Sequence, residues 1–141
     1  MTVGAKLAGA PASSPRTSAE RVLAGFVAAV EAGRLADAVA CFAEDARFVT
    51  PDGTVVAGVP QLSNIMRQVL ALPRTIAIAP ERIIDFGQTA IATQVWTMRF
   101  HGPEDGDLER TSIATVALRR GRPRWEMTLI APWGLAGGRV R

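Results

Sequence analysis

Apolar residues recur three and four apart through the first half of this chain and alternate through the second, so helices come first and strands follow. Thr17-Ser-Ala-Glu20 reads as a capping box, in which hydroxyl and carboxylate satisfy free backbone amides at a helix start. Val22, Leu23, Phe26, Val27 and Val30 then mark one helical face, and Gly33 supplies the stop. A second short helix places Leu35, Val39 and Phe42 at helical spacing. Ala46–Thr50 has strand character, Pro51-Asp-Gly53 is a turn, and Thr54–Ala57 pairs back as a short hairpin. Gly58 breaks that hairpin, and Pro60 sits where a first helical turn tolerates proline. Leu62, Ile65, Met66, Val69 and Leu70 give a third helix its apolar stripe, which Pro73 ends.

The remainder reads as sheet. Arg74–Asp85 is rich in β-branched residues but carries Pro80, which requires a bulge or an edge position. Gly87-Gln88 turns the chain into the long strand Thr89–Phe100, and the loop His101–Asp107 turns it again. Leu108–Arg119 returns, Gly121 lies in the next turn, and Arg124–Ala131 is the final strand, closed by Pro132-Trp133-Gly134. Helices segregated from an antiparallel sheet define an α+β domain. The expected architecture is a cone, with one strongly curved, mainly antiparallel sheet wrapped on three N-terminal helices. The domain spans residues 17–134, between a flexible N-terminal tail (1–16) and a C-terminal tail (135–141). On the final strand, period two puts Trp125, Met127, Leu129 and Ala131 on one face, leaving Glu126 and Thr128 on the other. On the preceding strand, Ala114, Val116 and Leu118 alternate with Ile113, Thr115 and Ala117, so both faces of the sheet are apolar and need cover. That pattern predicts a homodimer through the convex sheet face.

Composition adds little to this picture beyond exclusions. The 141 residues suffice for one domain with a real core, and 48% hydrophobic with 21% charged is ordinary for a globule. No apolar run approaches the ~18 residues of a membrane span, and the N-terminal segment lacks the apolar centre of a signal peptide. Net charge is +3, and Lys6 is the sole basic residue that is not arginine. Arg119, Arg120, Arg122 and Arg124 crowd one hairpin turn, but no aromatic residues interleave with them as a stacking platform for nucleic acid requires. No nucleic-acid or membrane partner is therefore expected. Cys41, the one cysteine, excludes an intramolecular disulfide; it reads as a small buried hydrophobe on a helical pattern, in a cytoplasmic protein.

With these elements placed, the chain resembles the nuclear transport factor 2-like superfamily, which includes ketosteroid isomerase, limonene epoxide hydrolase and the SnoaL-like polyketide cyclases. The residues that carry the resemblance run from Phe26 to Gly33 and from Ala40 to Pro51. They continue with Asp52-Gly53, Val56-Ala-Gly58, Trp125 and Ala131-Pro-Trp-Gly134. The likeness implies the cone fold and is nearly silent on reaction, because this fold hosts many activities. Ketosteroid isomerase has an aspartate base immediately before the proline of the first-strand turn, where this chain has Thr50. Its tyrosine oxyanion donor on the first helix corresponds to Phe26, and its protonated aspartate falls near Thr115. A threonine cannot serve as a proton-abstracting carboxylate and a phenyl ring donates no hydrogen bond, so the isomerase mechanism is not expected. Limonene epoxide hydrolase sets an Asp-Arg-Asp group around a water; Arg99 could supply the cation, with no pair of carboxylates placed beside it.

Few residues bear chemistry of their own. Asp85, Arg99 and His101 are the weak catalytic candidates: a strand-end carboxylate, a strand cation and the single histidine. Each has a plainer reading, Asp85 as a turn cap and His101 as a turn residue beside Gly102-Pro103. Glu104, Asp105, Asp107 and Glu109 fail the spacing of a calcium loop and read as a solvated hairpin. No metal site, zinc spacing, phosphate loop or cofactor motif is present in the sequence. The expected function is binding of a small hydrophobic molecule, polycyclic or polyketide-like, in a cavity inside the cone. Its expected lining is Phe26, Thr50, Met66, Gln94, Trp96, Thr115, Met127 and Trp133, with Gln94 and Trp96 sharing the inward face of the central strand. On that reading the protein acts as a cofactor-independent isomerase, cyclase or hydrolase. The alternative is a ligand-binding or dimeric assembly module that has lost its acid–base residues.

Overall fold

The structure, a computed structural model, describes residues 18–71, 74–102, 106–122 and 124–134. Both expected tails, residues 1–16 and 135–141, lie outside the described residues. Helix α1 (Ala19–Ala32) starts from Ser18, whose hydroxyl accepts from the Arg21 amide at 3.2 Å. Ser18 thus takes the capping role expected of Thr17, which lies outside the described residues. Gly33, at φ 73°, returns its amide to the last turn and ends the helix. Helix α2 (Leu35–Val39), strand β1 (Phe42–Val49), strand β2 (Val55–Ala57) and helix α3 (Val59–Ala71) follow. Four strands complete the fold: β3 (Arg74–Asp85), β4 (Thr89–Gly102), β5 (Gly106–Arg119) and β6 (Glu126–Ala131).

All six strands form one sheet in the order β2-β1-β6-β5-β4-β3, antiparallel except where β1 runs parallel to β6. The α+β cone is therefore the fold of the chain. Register shifts interrupt three ladders, between Phe42 and Arg47, between Pro80 and Arg82, and between Ala117 and Leu118. Each extra residue bends its strand and increases local twist, which is how the sheet curves around the helices. Proline at position 80 lies on edge strand β3, where a missing amide costs no internal ladder bond.

Two bulges also correct the sequence reading. Phe42 opens β1 and Cys41 sits in the turn before it, although Leu35, Val39 and Phe42 fit helical spacing. Buried Phe42, Ala43, Ala46 and Phe48 break strict alternation because Glu44 and Asp45 lie in the irregular stretch. On β6 the shift opposite Ala117 and Leu118 pairs Met127 with Leu118 and Ile130 with Val116, on the inner face. Leu129 pairs with Ala117 on the outer face, so Trp125, Met127, Leu129 and Ala131 do not share one side.

The core lies between helices and sheet. Phe26, Leu62, Met66, Phe48, Trp96, Leu118, Met127 and Ile130 are all at most 1% exposed. Phe26 meets Phe42 edge-on at 5.5 Å and lies 6.4 Å from Trp96, between ring centroids.

Candidate functional site

The sequence placed the site within the cone, where the structure puts Phe26, Met66, Trp96 and Met127 in one buried core cluster. Trp133 covers Phe48 at 6.1 Å. Thr115 stands opposite Thr93 on the outer face, one residue out of phase with Gln94 and Ala114, and so leaves the set. Inward and outward faces of β5 follow from the register with β4: Ala114, Val116 and Leu118 face the helices.

Thr50 is occupied elsewhere. Its hydroxyl bonds the Asp52 carboxylate and the Thr54 backbone within the β1–β2 turn, and Asp52 also accepts from the Thr54 amide at 3.0 Å. These donors favour the charged form and hold the Asp52 carboxyl at about 2. A lowered pKa contributes stability that is complete above the unfolded-state value and lost as pH falls through about 2. Thr50→Val should therefore raise the Asp52 titration toward the ordinary carboxylate range, read by carboxyl carbon NMR. An unmoved titration would mean that the Thr50 hydroxyl is free for other partners.

The catalytic candidates do not converge. Asp85 accepts from the Gly87 amide at 2.7 Å and caps the β3–β4 turn. Arg99 pairs with Glu109 across the strands at 2.8 Å on the exposed outer face. His101 ends up near the far end of β4, and its side chain lies outside those described. The arginine turn is partly committed to the protein: Arg119 bonds Asp45, Arg120 stacks over Trp125, and Arg124 donates to the Ala40 carbonyl. Arg119 holds the Asp45 carboxyl below its ordinary pKa, chiefly through that hydrogen bond. Burial raises the Cys41 thiol, partly offset by Arg124, which disfavours the reactive thiolate. Among the described residues, no group of three or more His, Cys, Asp or Glu side chains could hold a metal ion, and no helix is long and apolar enough to cross a membrane.

A cleft of about 550 Å³ opens instead on the flank of the cone, between α1 and the bulged part of β3. Leu23, Ala24, Val27 and Ala28 form its helical wall; Pro80 and Ile83 face them, with Ala92 and Gln94 behind. The helical wall runs at i, i+1, i+4 and i+5, and its Leu23 and Val27 also pack against the core that Val22, Phe26, Ala29 and Val30 enter. The bulge between Pro80 and Arg82 bends β3 beside this wall. Glu31 spans the gap at one side, accepting from the Ile78 amide of the edge strand at 2.8 Å. Glu20, Glu81 and Arg82 complete the polar rim.

Gln94 is the one predicted lining residue that borders this cleft. It is 2% exposed, on the inner face of β4, and its Oε1 accepts from Trp96 Nε1 at 3.0 Å. The remaining cleft residues escaped the sequence reading, although a signal existed. Leu23 and Val27 widen the apolar arc of α1 beyond what one packed face needs, and Ala24 and Ala28 beside them are small.

A SnoaL-like domain model matches residues 23–139, and the chain belongs to that family. Solved structures share the fold. One is named as a calcium/calmodulin-dependent protein kinase type II association domain from Thiobacillus denitrificans: 22% identity, 83% of this chain and 96% of that one, TM-score 0.67. A protein named as a dehydratase from the NTF2-like family, from Streptomyces avermitilis, matches at 17% identity over 78% of this chain and 88% of its own, TM-score 0.67. Another, named as a scytalone dehydratase from Novosphingobium aromaticivorans, is 14% identical over 79% of this chain and 78% of its own, TM-score 0.66. Identities this low establish the nuclear transport factor 2-like fold and leave the chemistry open. No curated protein sequence matches the chain.

Proposed function

We propose that this SnoaL-like protein binds a small hydrophobic molecule in the cleft between α1 and β3, as a homodimer joined through the outer face of its sheet. The cleft carries the reading: about 550 Å³ with apolar walls is the scale and character of a small-molecule site. Neighbours named as dehydratases support a small organic ligand by analogy of fold. The reading does not include the ketosteroid isomerase mechanism, since Thr50 and Phe26 stand where its base and donor would be, one in a turn and one in the core. Cleft carboxylates Glu20, Glu31 and Glu81 sit at the rim, and Glu31 is already held by a backbone amide. Ligand binding is thus better supported than turnover as an isomerase, cyclase or hydrolase. The dimer rests on large apolar side chains left on the outer face, Ile84, Ile91 and Ile113. A single unpaired cysteine accords with a cytoplasmic location.

The test fills the cleft. Ala28 is exposed on the helical wall, so Ala28→Phe narrows the site without entering the core. Affinity for an apolar ring probe, followed through tryptophan fluorescence, should fall by about tenfold or more, near 1.4 kcal/mol. Unchanged affinity in a folded variant would remove the cleft as the site.

A further inference from the structure

Gln94 carries an unspent donor. Its carboxamide is buried on the inner face of β4, and the bond to Trp96 fixes which way round it sits. An indole N–H only donates, so the atom facing Trp96 must be the carbonyl oxygen Oε1. The NH2 group is therefore the one that Trp96 does not hold, on a side chain that borders the cleft together with Ala92. Among the described residues, nothing accepts a hydrogen bond from that NH2. A buried amide donor without an acceptor is disfavoured by about as much as a lost hydrogen bond, and such groups in folded proteins are nearly always partnered.

Resting on the cleft as the binding site, we infer that its ligand is an apolar ring compound bearing a neutral carbonyl oxygen (a ketone, quinone or lactone), which Gln94 Nε2 receives at the back of the cleft. Of the other lining residues, Leu23, Val27, Pro80 and Ile83 have apolar side chains, Arg82 sits at the rim, and Thr93 lies on β4 one residue out of phase with Gln94. Charge at the mouth selects for neutrality. Glu20, Glu31 and Glu81 outnumber Arg82, so a carboxylate ligand meets net repulsion while a ketone does not. Trp96 has a positioning role, because its N–H holds the Gln94 carboxamide in the orientation that presents the donor.

The experiment uses two probes with one ring skeleton, 9-fluorenone and fluorene, which differ at the carbonyl. The full chain should bind fluorenone about tenfold more tightly than fluorene, the effect of one neutral hydrogen bond to a desolvated donor. Gln94→Met keeps the bulk and removes the donor; it should erase the roughly tenfold preference for fluorenone over fluorene. In the unsubstituted protein, the Gln94 side-chain NH2 signals in ¹H–¹⁵N spectra should shift with fluorenone and stay still with fluorene. Those signals decide the matter even if Gln94→Met fails to fold. Equal affinities with a silent Gln94 amide would overturn the carbonyl assignment and leave the cleft standing. Binding of neither probe at the cleft would overturn the cleft reading, and this inference with it.

Discussion

Replacing Trp96 with alanine is expected to destabilise the fold by about 3–5 kcal/mol, the range for removing a large aromatic from a packed core. Trp96 is 1% exposed, with Phe26 at 6.4 Å between centroids and Phe42 edge-on to Phe26 behind it. The truncation empties a volume that rigid neighbours on β4 and α1 cannot close. It also strips Gln94 Oε1 of its donor, and an unpaired buried acceptor adds about 1–3 kcal/mol. Against a domain stability of roughly 5–15 kcal/mol, that is a large share. Urea unfolding should show a lower midpoint at an unchanged slope. A loss under about 1 kcal/mol would mean that Trp96 forms the wall of an open cavity and not part of a filled core.

The second large effect concerns the outer face. Ile113→Glu should weaken self-association by about 100-fold or more, because each copy would carry an unpaired carboxylate into the shared apolar surface. Ile113 is 47% exposed beside half-buried Val95, and Ile84 and Ile91 extend the patch along the neighbouring strands. The substitution touches no inner-face residue, so circular dichroism should report the same fold. Light scattering should give about twice the 15.0 kDa chain mass for the unsubstituted protein and the single mass for the variant at micromolar concentration. A monomeric unsubstituted protein would remove the dimer from the account.

What the sequence made legible was periodicity, and what it concealed was irregularity. Helix α1, helix α3 and the long strands announce themselves through spacing, and Pro80 announces a bulge because its ring leaves few other options. The bulges on β1 and β6 leave no such mark. Each shifts parity by one residue, which is why Phe42 resembled a helix position and Leu129 an inner-face residue. Gln94 and Trp96 were correctly placed on the inward face of β4, while Thr115 was carried inward by likeness to another protein's site and the register contradicts it. The deeper gap was between lining and filling. Spacing shows which side chains point inward; only the folded chain shows Phe26, Met66, Trp96 and Met127 at most 1% exposed in one core cluster. The cleft was hidden for the converse reason, since its walls come from the flank of α1 and a bend in β3 that meet only in the folded chain.

The central claim is that a ligand enters beside α1 and not the interior of the cone. Methyl ¹H–¹³C spectra of the full chain, recorded as 9-fluorenone is added, test it residue by residue. The account predicts saturable shifts of the Leu23, Val27 and Ile83 methyls, with Met66, Leu118 and Met127 unmoved. Shifts centred on Met66 and Met127, with Leu23 and Val27 silent, would contradict it and return the site to the core of the cone.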